Sequence, residues 1–254
     1  MDAAAYRDYQ RESESWLKKG RRKLLAVMVR EAGGGRKDLE LLEVGAGVGQ
    51  NVPALAEFGE VDVIEISDAG LEALRRVPGI RRIMGEPIPF DLENTYDAVI
   101  AMDVVEHIED DRVALNWMAQ HLRPGGLLFT TVPAYPWLFS EHDVALHHFK
   151  RYTAHQFQRA LPSSVEVLRC GYFNSILFPL AASVRLAKKA VSGSEGRPAR
   201  KQSGLVPEPI NSLFQSVLDL ELWAIRRGID FPFGLSVYCL ARRPLSNQRS
   251  PRED

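Results

Sequence analysis

The sequence predicts an α/β protein built on a doubly wound sheet. Two observations support this fold class. Apolar runs typical of buried strands alternate with amphipathic segments typical of helices along residues 8–132. The first of these runs leads directly into the glycine-rich turn Gly45-Ala46-Gly47-Val48-Gly49, as in βαβ nucleotide sites.

Each element is predicted from its own local pattern. Apolar runs predict five successive strands at 39–44, 61–66, 80–84, 96–102 and 127–132. Two more strands are predicted in the C-terminal half, at 165–168 and 236–241. Apolar residues at helical spacing and capping residues predict helices at 8–31, 50–58, from 67 or 68 onward, 110–122 and 210–227. The sequence Arg-Pro-Gly-Gly predicts a turn at 123–126.

The composition is that of a globular protein. The chain has 254 residues, of which 45% are hydrophobic, and its net charge is -1, which argues against a general nucleic-acid binder. The two cysteines, Cys170 and Cys239, lack metal-ligand spacing, and we predict no metal site. The polar, acidic N-terminus is unlike a signal peptide, and no apolar run is long enough to span a bilayer, so we expect a cytoplasmic protein.

Four regions are predicted along the chain. Residues 1–36 form an N-terminal helical cover, 37–174 and 233–245 the core, 175–232 a helical insertion, and 246–254 a disordered tail. The insertion is apolar over its first part and basic afterwards, so it is a lid, a dimer contact, a membrane-facing segment or part of the chain's own core. Packing within the protein is favoured over peripheral membrane contact.

The glycine pattern and a later acid together predict the type of ligand. The pattern is GxGxG, because Gln50 stands where a dinucleotide-binding turn has its third glycine. Such a turn suits a nucleoside without phosphates better than a pyrophosphate. Glu65 follows Gly45 by one βαβ spacing and is placed to accept hydrogen bonds from ribose hydroxyls. These residues suggest S-adenosylmethionine.

Four segments, in this order, resemble the motifs of class I S-adenosylmethionine-dependent methyltransferases: LLEVGAGVGQN (41–51), VDVIEIS (61–67), YDAVIAMDVVEHIEDD (96–111) and LRPGGLLFTTVP (122–133). The resemblance covers about residues 38–170, and the flanks resemble a narrower bacterial subgroup that acts on small molecules and metabolites. It implies a Rossmann-like seven-stranded sheet with an antiparallel last strand and a helical insertion before that strand.

The glycine pattern and the resemblance together predict the cofactor site. Its residues are Glu43, Gly45, Ala46, Gly47, Gly49, Asn51, Glu65, Ile66, Glu86, Pro87, Met102 and Asp103. Two interpretations remain open for Glu86, which either binds the adenine amino group or is a solvated charge. Asp103 binds the ammonium group of the cofactor or caps the next segment. Arg22, with Tyr9 and Trp16, either covers the cofactor or belongs to a solvated basic helix face.

Residues 142–152 are the predicted source of substrate chemistry, because titratable side chains crowd there just past the fifth strand. His148, oriented by Asp143, is the predicted catalytic base. The alternative is a loop whose polar side chains only hold the chain in place. The predicted substrate-binding residues are His107, Tyr135, Arg151 and Tyr152, whereas Glu106 is expected to have a structural role.

The resulting prediction is a methyltransferase acting on a small-molecule or lipid- or sugar-linked metabolite, as a monomer or homodimer. The histidine-rich segment favours O-methylation. One alternative is an NAD-dependent oxidoreductase, which Gln50 argues against. Another is a non-catalytic protein that binds S-adenosylmethionine, which the intact glycine turn and Glu65 argue against.

Overall fold

The computed structural model describes residues 15–183 and 206–245. Residues 1–14 of the predicted cover, 184–205 of the predicted insertion and the predicted tail at 246–254 lie outside the described residues. Among the helices of the described part, none is long and apolar enough to cross a membrane.

One sheet of seven strands forms the centre of the molecule. The strands are β1 (Leu39–Val44), β2 (Gly59–Ile64), β3 (Ile80–Met84), β4 (Tyr96–Met102), β5 (Leu122–Pro133), β6 (Glu166–Phe173) and β7 (Ser236–Arg242). Their spatial order is β3-β2-β1-β4-β5-β7-β6. The pairings among β1 to β5 are parallel, whereas β7 runs antiparallel to both β5 and β6. The predicted fold class is therefore confirmed.

Helices cover both faces of this sheet. They are α1 (Trp16–Ala32), α2 (Val52–Leu55), α3 (Asp68–Leu74), α4 (Asp111–Gln120), α5 (Glu141–Ala145), α6 (Ala154–Ala160) and α7 (Glu208–Arg226). Short 3-10 turns lie at Val105–His107 and Pro136–Leu138, and residues 178–183 are helical. Because both faces are covered, β1 and β4 are buried almost throughout.

Two apolar cores lie on the two sides of the sheet. On one side, α1 contributes Leu24 and Leu25, and α7 contributes Leu218 and Leu222. On the other side, α4 and α6 pack against the sheet through a second cluster of buried side chains. The helix α7, which lies within the predicted insertion, thus packs on α1 and on the chain's own core.

Several elements differ from their predicted bounds, among them β2, which spans Gly59–Ile64 and not 61–66, so that Glu65 and Ile66 follow the strand. The helix α2 spans Val52–Leu55 and is shorter than the predicted 50–58, because a turn in which the Phe58 amide donates to the Leu55 carbonyl oxygen at 2.8 Å follows it. The predicted turn at 123–126 lies inside β5, where an irregularity in the pairing with β4 accommodates it. Strand β6 extends to Phe173, because its second half pairs with β7 residue by residue.

Candidate active site

The glycine-rich turn follows β1 in a conformation that glycine favours. Gly45, Gly47 and Gly49 have φ angles of 70°, 59° and 76°, in the left-handed region. The amides of Gly45 and Ala46 both donate to the Ile64 carbonyl oxygen, at 2.8 and 3.0 Å, which joins the turn to the end of β2. A Cβ atom at position 45 would lie 2.5 Å from Val104 Cγ2. The turn therefore needs glycine, both for its conformation and for this close approach.

The Glu65 carboxylate lies against this turn. Its Oε2 accepts a hydrogen bond from the Gly47 amide at 2.7 Å, and its Oε1 accepts one from the Ser67 amide at 2.8 Å. Because a carboxylate oxygen can accept two hydrogen bonds, each oxygen retains capacity for a ligand hydroxyl. The next side chain, Ile66, is apolar and 64% exposed. A fixed acid next to an exposed apolar surface fits a ribose with its attached base.

Glu43 lies at the end of β1 and is buried. Its Oε1 accepts a hydrogen bond from Asn51 Nδ2 at 2.7 Å. Burial raises the pKa of Glu43 to about 7. Its Oε2 is buried and has no hydrogen-bond partner within the described residues. An unpaired carboxyl oxygen beside the glycine turn fits a ligand that brings its own hydrogen-bond donor.

Asp103 follows β4, next to Met102, and is held in a fixed conformation. Its φ angle is 55°, and its amide donates to the Thr131 carbonyl oxygen at 2.9 Å. Thr131 Oγ1 donates to Asp103 Oδ1 at 3.2 Å. Arg21 of α1 forms an ion pair with Asp103 and donates a hydrogen bond to Ser236 Oγ at 2.9 Å. The end of β4 is thereby joined to α1.

Arg21 is not among the site residues predicted from the sequence. The neighbouring Arg22 is a predicted candidate for a cover over the site, and the signals for Arg21 are its place in the same basic stretch of α1 and its pairing with Arg22 after Trp16. Glu86 and Pro87 lie past the end of β3 and are exposed, and their contact with the cofactor stays a prediction.

Asp143 in α5 is fully buried and organises the predicted catalytic segment. Ser140 donates to its Oδ2 from the backbone amide at 2.9 Å and from Oγ at 3.1 Å. Its Oδ1 accepts from His148 Nδ1 at 2.9 Å and from Arg151 Nε at 2.7 Å. Burial opposes ionisation of Asp143, but the hydrogen bonds and the Arg151 charge outweigh it and hold the pKa of Asp143 well below its ordinary value.

His148 lies close to the 3-10 turn that follows β4. Its ring meets the His107 ring edge-on, with centroids 4.6 Å apart. The Phe149 amide donates to the Glu106 carbonyl oxygen at 2.8 Å, which fixes the segment against this turn. The structure thus brings His148, Asp143, His107 and Arg151 together, while their catalytic and substrate-binding roles stay predictions.

The two predicted substrate-binding tyrosines have different surroundings. The Tyr135 ring stacks on Tyr172 with centroids 5.3 Å apart, and burial raises the pKa of Tyr135 to about 12. Tyr152 is buried, and its hydroxyl donates to Asp111 Oδ2 at 2.9 Å. Contact between Tyr152 and a substrate stays a prediction, since its hydroxyl is already committed to Asp111.

A cavity of about 610 Å³ lies beside this segment, lined by Phe149, Lys150, Arg151 and Tyr152 together with residues of α4 and α6. It includes two predicted substrate residues but none of the predicted cofactor residues. The candidate active site is the sheet edge at the glycine turn, Glu65, Asp103 and His148, because ligands of open α/β sheets bind outside the carboxyl ends of the strands.

Comparison with known proteins gives the family of the chain. A family model described as a methyltransferase domain matches residues 15–166, more than half of the chain. A ubiquinone biosynthesis O-methyltransferase of Alkalilimnicola ehrlichii is 29% identical over 145 residues, which cover 54% of this chain and 59% of that protein. A trans-aconitate 2-methyltransferase of Deinococcus radiodurans is 28% identical over 127 residues, which cover 48% of this chain and 46% of that protein. The match thus spans about half of these curated relatives.

A solved structure supports the fold. The N-methyltransferase NodS from Bradyrhizobium japonicum, in complex with S-adenosyl-L-homocysteine, is 16% identical with a TM-score of 0.53, covering 89% of this chain and 87% of that one. At that identity the likeness shows the fold alone. With the family model, the sheet order and the glycine turn in agreement, this chain belongs to the class I S-adenosylmethionine-dependent methyltransferases.

Proposed function

We propose that this enzyme transfers a methyl group from S-adenosylmethionine to an oxygen atom of a small-molecule or lipid- or sugar-linked metabolite. We choose oxygen as the methylated atom because a hydroxyl acceptor needs a base, and His148 Nδ1 lies 2.9 Å from Asp143 Oδ1 at the sheet edge. The names of two relatives, an O-methyltransferase of ubiquinone biosynthesis and a trans-aconitate methyltransferase, support a small acceptor. The family match leaves no reason to keep the alternative of an NAD-dependent oxidoreductase.

Different predicted cofactor residues would bind different parts of S-adenosylmethionine. The glycine turn would lie against the cofactor, Glu65 would accept hydrogen bonds from the ribose hydroxyls, and Ile66 would pack on the adenine. Asp103 would attract the ammonium group of the methionine portion. When bound there, S-adenosylmethionine supplies an electrophilic methyl group on a sulfonium.

The contact between His148 and Asp143 fixes which imidazole nitrogen can act as a base. Asp143 is ionised and can only accept hydrogen bonds, so His148 Nδ1 carries the proton of this contact. The other nitrogen, Nε2, then has a free lone pair when the imidazole is neutral. An acceptor hydroxyl that gives its proton to Nε2 becomes the stronger nucleophile, an effect worth roughly 10²- to 10⁴-fold in rate.

The test combines a binding and a turnover measurement on His148→Ala. Calorimetry with S-adenosylhomocysteine measures the cofactor site, and transfer of a labelled methyl group to a panel of hydroxyl-bearing acceptors measures turnover. We expect unchanged affinity and a rate lowered by roughly 10²-fold or more. The control is His155→Ala, which removes an exposed histidine of α6. Full activity of His148→Ala would remove it as the base, and turnover only with amine acceptors would contradict the choice of oxygen.

A further inference from the structure

Three side chains next to the proposed base form a group with metal-binding chemistry. Glu106 and His107 come from the 3-10 turn after β4, and His148 comes from the segment after α5. One carboxylate oxygen and one nitrogen from each imidazole all lie within 4.8 Å of one another. Two imidazoles and a carboxylate are donors that Zn²⁺ and neighbouring divalent transition metals accept.

Glu106 gives independent support, because its carboxylate has no hydrogen-bond partner among the described residues. The residue is 1% exposed, and both of its carboxylate oxygens are buried without a hydrogen bond to any described residue. The two arginines whose charges act on it, Arg21 and Arg151, are paired with Asp103 and Asp143. A buried, unpartnered carboxylate is costly unless it meets a cation or holds a proton. A bound cation would satisfy Glu106.

The surroundings of His148 are those of a metal-binding histidine. Such a histidine commonly donates its second ring N–H to a carboxylate, which fixes the ring and makes the other nitrogen a better donor. His148 Nδ1 has this contact with Asp143 Oδ1 at 2.9 Å. Asp143 is itself held by Ser140 and Arg151. The metal-facing nitrogen would be Nε2.

The distances require only a small adjustment. In a tetrahedral site with metal–ligand bonds of about 2 Å, the ligand atoms lie roughly 3.3 Å apart. The ligand atoms now lie up to 4.8 Å apart, so the widest separation exceeds the tetrahedral value by about 1.5 Å. His107 is the exposed member of the three, so the adjustment would come from its side chain.

We propose that Glu106, His107 and His148 bind one divalent transition-metal ion of the Zn²⁺ or Co²⁺ type. No metal site is predicted from the spacing of the two cysteines, and only the fold brings these three residues together. The consequence for activity rests on the proposed function. His148 Nε2 has a single lone pair, so a bound ion withholds it from the acceptor's proton, and the ion should inhibit methyl transfer.

The test titrates the 254-residue protein with Co²⁺ and follows the visible absorption of the bound ion. We expect saturation at one equivalent, with affinity at least tenfold lower in Glu106→Gln and in His107→Ala. The exposed His107 keeps the test usable if the buried Glu106→Gln does not fold. The matched control is His155→Ala, which should bind Co²⁺ as the unmodified protein does. Absence of saturable absorption, or equal binding by all variants, would overturn the site.

The same titration separates this proposal from the proposed function, because Co²⁺ absorption is read without any acceptor. No binding together with full methyl transfer would remove the metal site and leave His148 as the base. Binding with at least tenfold inhibition would support both. Binding with stimulation would confirm the metal site and contradict the role of His148 as the base.

Discussion

Arg21 in α1 forms an ion pair with Asp103 at the end of β4, so the first described helix is joined directly to the candidate active site. The two side chains are 20% and 26% exposed, and Arg21 also donates to Ser236 Oγ at the start of β7. This one guanidinium connects three elements that are distant in sequence. The helix α1 is therefore part of the site and not only part of the core.

Replacing Arg21 should cost more stability than replacing an exposed cation of the same helix. We expect Arg21→Met to lower the free energy of unfolding by roughly 1–3 kcal/mol, because the partly buried Asp103 loses its charged hydrogen-bond partner. Lys23→Met is the control, since Lys23 pairs with Asp219 at 2.6 Å but is 50% exposed. Its loss should be about 0.5 kcal/mol or less. Urea unfolding measures both, and equal losses would contradict a special role for Arg21.

Glu65→Gln should weaken cofactor binding without unfolding the protein. The amide keeps the shape but loses the charge and one of the two acceptors that now meet Gly47 and Ser67. Hydrogen bonds to a charged group contribute about 1.5–3 kcal/mol, so the affinity for S-adenosylhomocysteine should fall roughly 10- to 150-fold. Calorimetric titration measures this affinity.

The control for Glu65 is Glu60→Gln, at the other end of β2. Glu60 is exposed and pairs with Arg81 at 2.6 Å. Its replacement should leave the affinity for S-adenosylhomocysteine unchanged. If Glu65→Gln also bound with unchanged affinity, the assignment of Glu65 to the ribose hydroxyls would be wrong.

Local patterns explain which parts of this structure were predictable. The five parallel strands and the turn at Gly45 follow from apolar periodicity and glycine spacing, which are properties of neighbouring residues. The Arg21–Asp103 pair and the cluster at Glu106 depend on side chains that meet only after the sheet has formed. The irregular pairing within β5 was missed for the same reason, since it depends on β4.

Asp143→Asn should be strongly destabilising. Asp143 is buried and accepts hydrogen bonds from His148 and Arg151, and its charge balances the buried Arg151 guanidinium. Removing one partner of a buried ion pair costs roughly 3–5 kcal/mol, so we expect a loss in this range. His148→Ala removes only one of these hydrogen bonds, so its cost should be smaller, about 1.5–3 kcal/mol.

The control for Asp143 is Asp219→Asn, which removes a carboxylate that is 44% exposed and paired with Lys23. Its loss should not exceed about 1 kcal/mol. Chemical unfolding of the three variants at one pH measures the order. An Asp143→Asn protein as stable as Asp219→Asn would show that Asp143 does not organise the segment.

Glu43 should make the protein less stable as the pH rises toward neutrality. Burial raises the pKa of its carboxyl from the ordinary 4.5 to about 7 in the folded protein. Between these pH values the folded protein binds more protons than the unfolded chain, so the free energy of unfolding falls as the pH rises. The total fall attributable to Glu43 is about 3 kcal/mol.

Glu43→Gln lacks this titration and should be more stable than the unmodified protein at pH 8 but not at pH 4.5. Urea unfolding of both proteins across this range measures the difference, which isolates Glu43 from other titrating groups. Parallel stability curves for the two proteins would contradict the raised pKa.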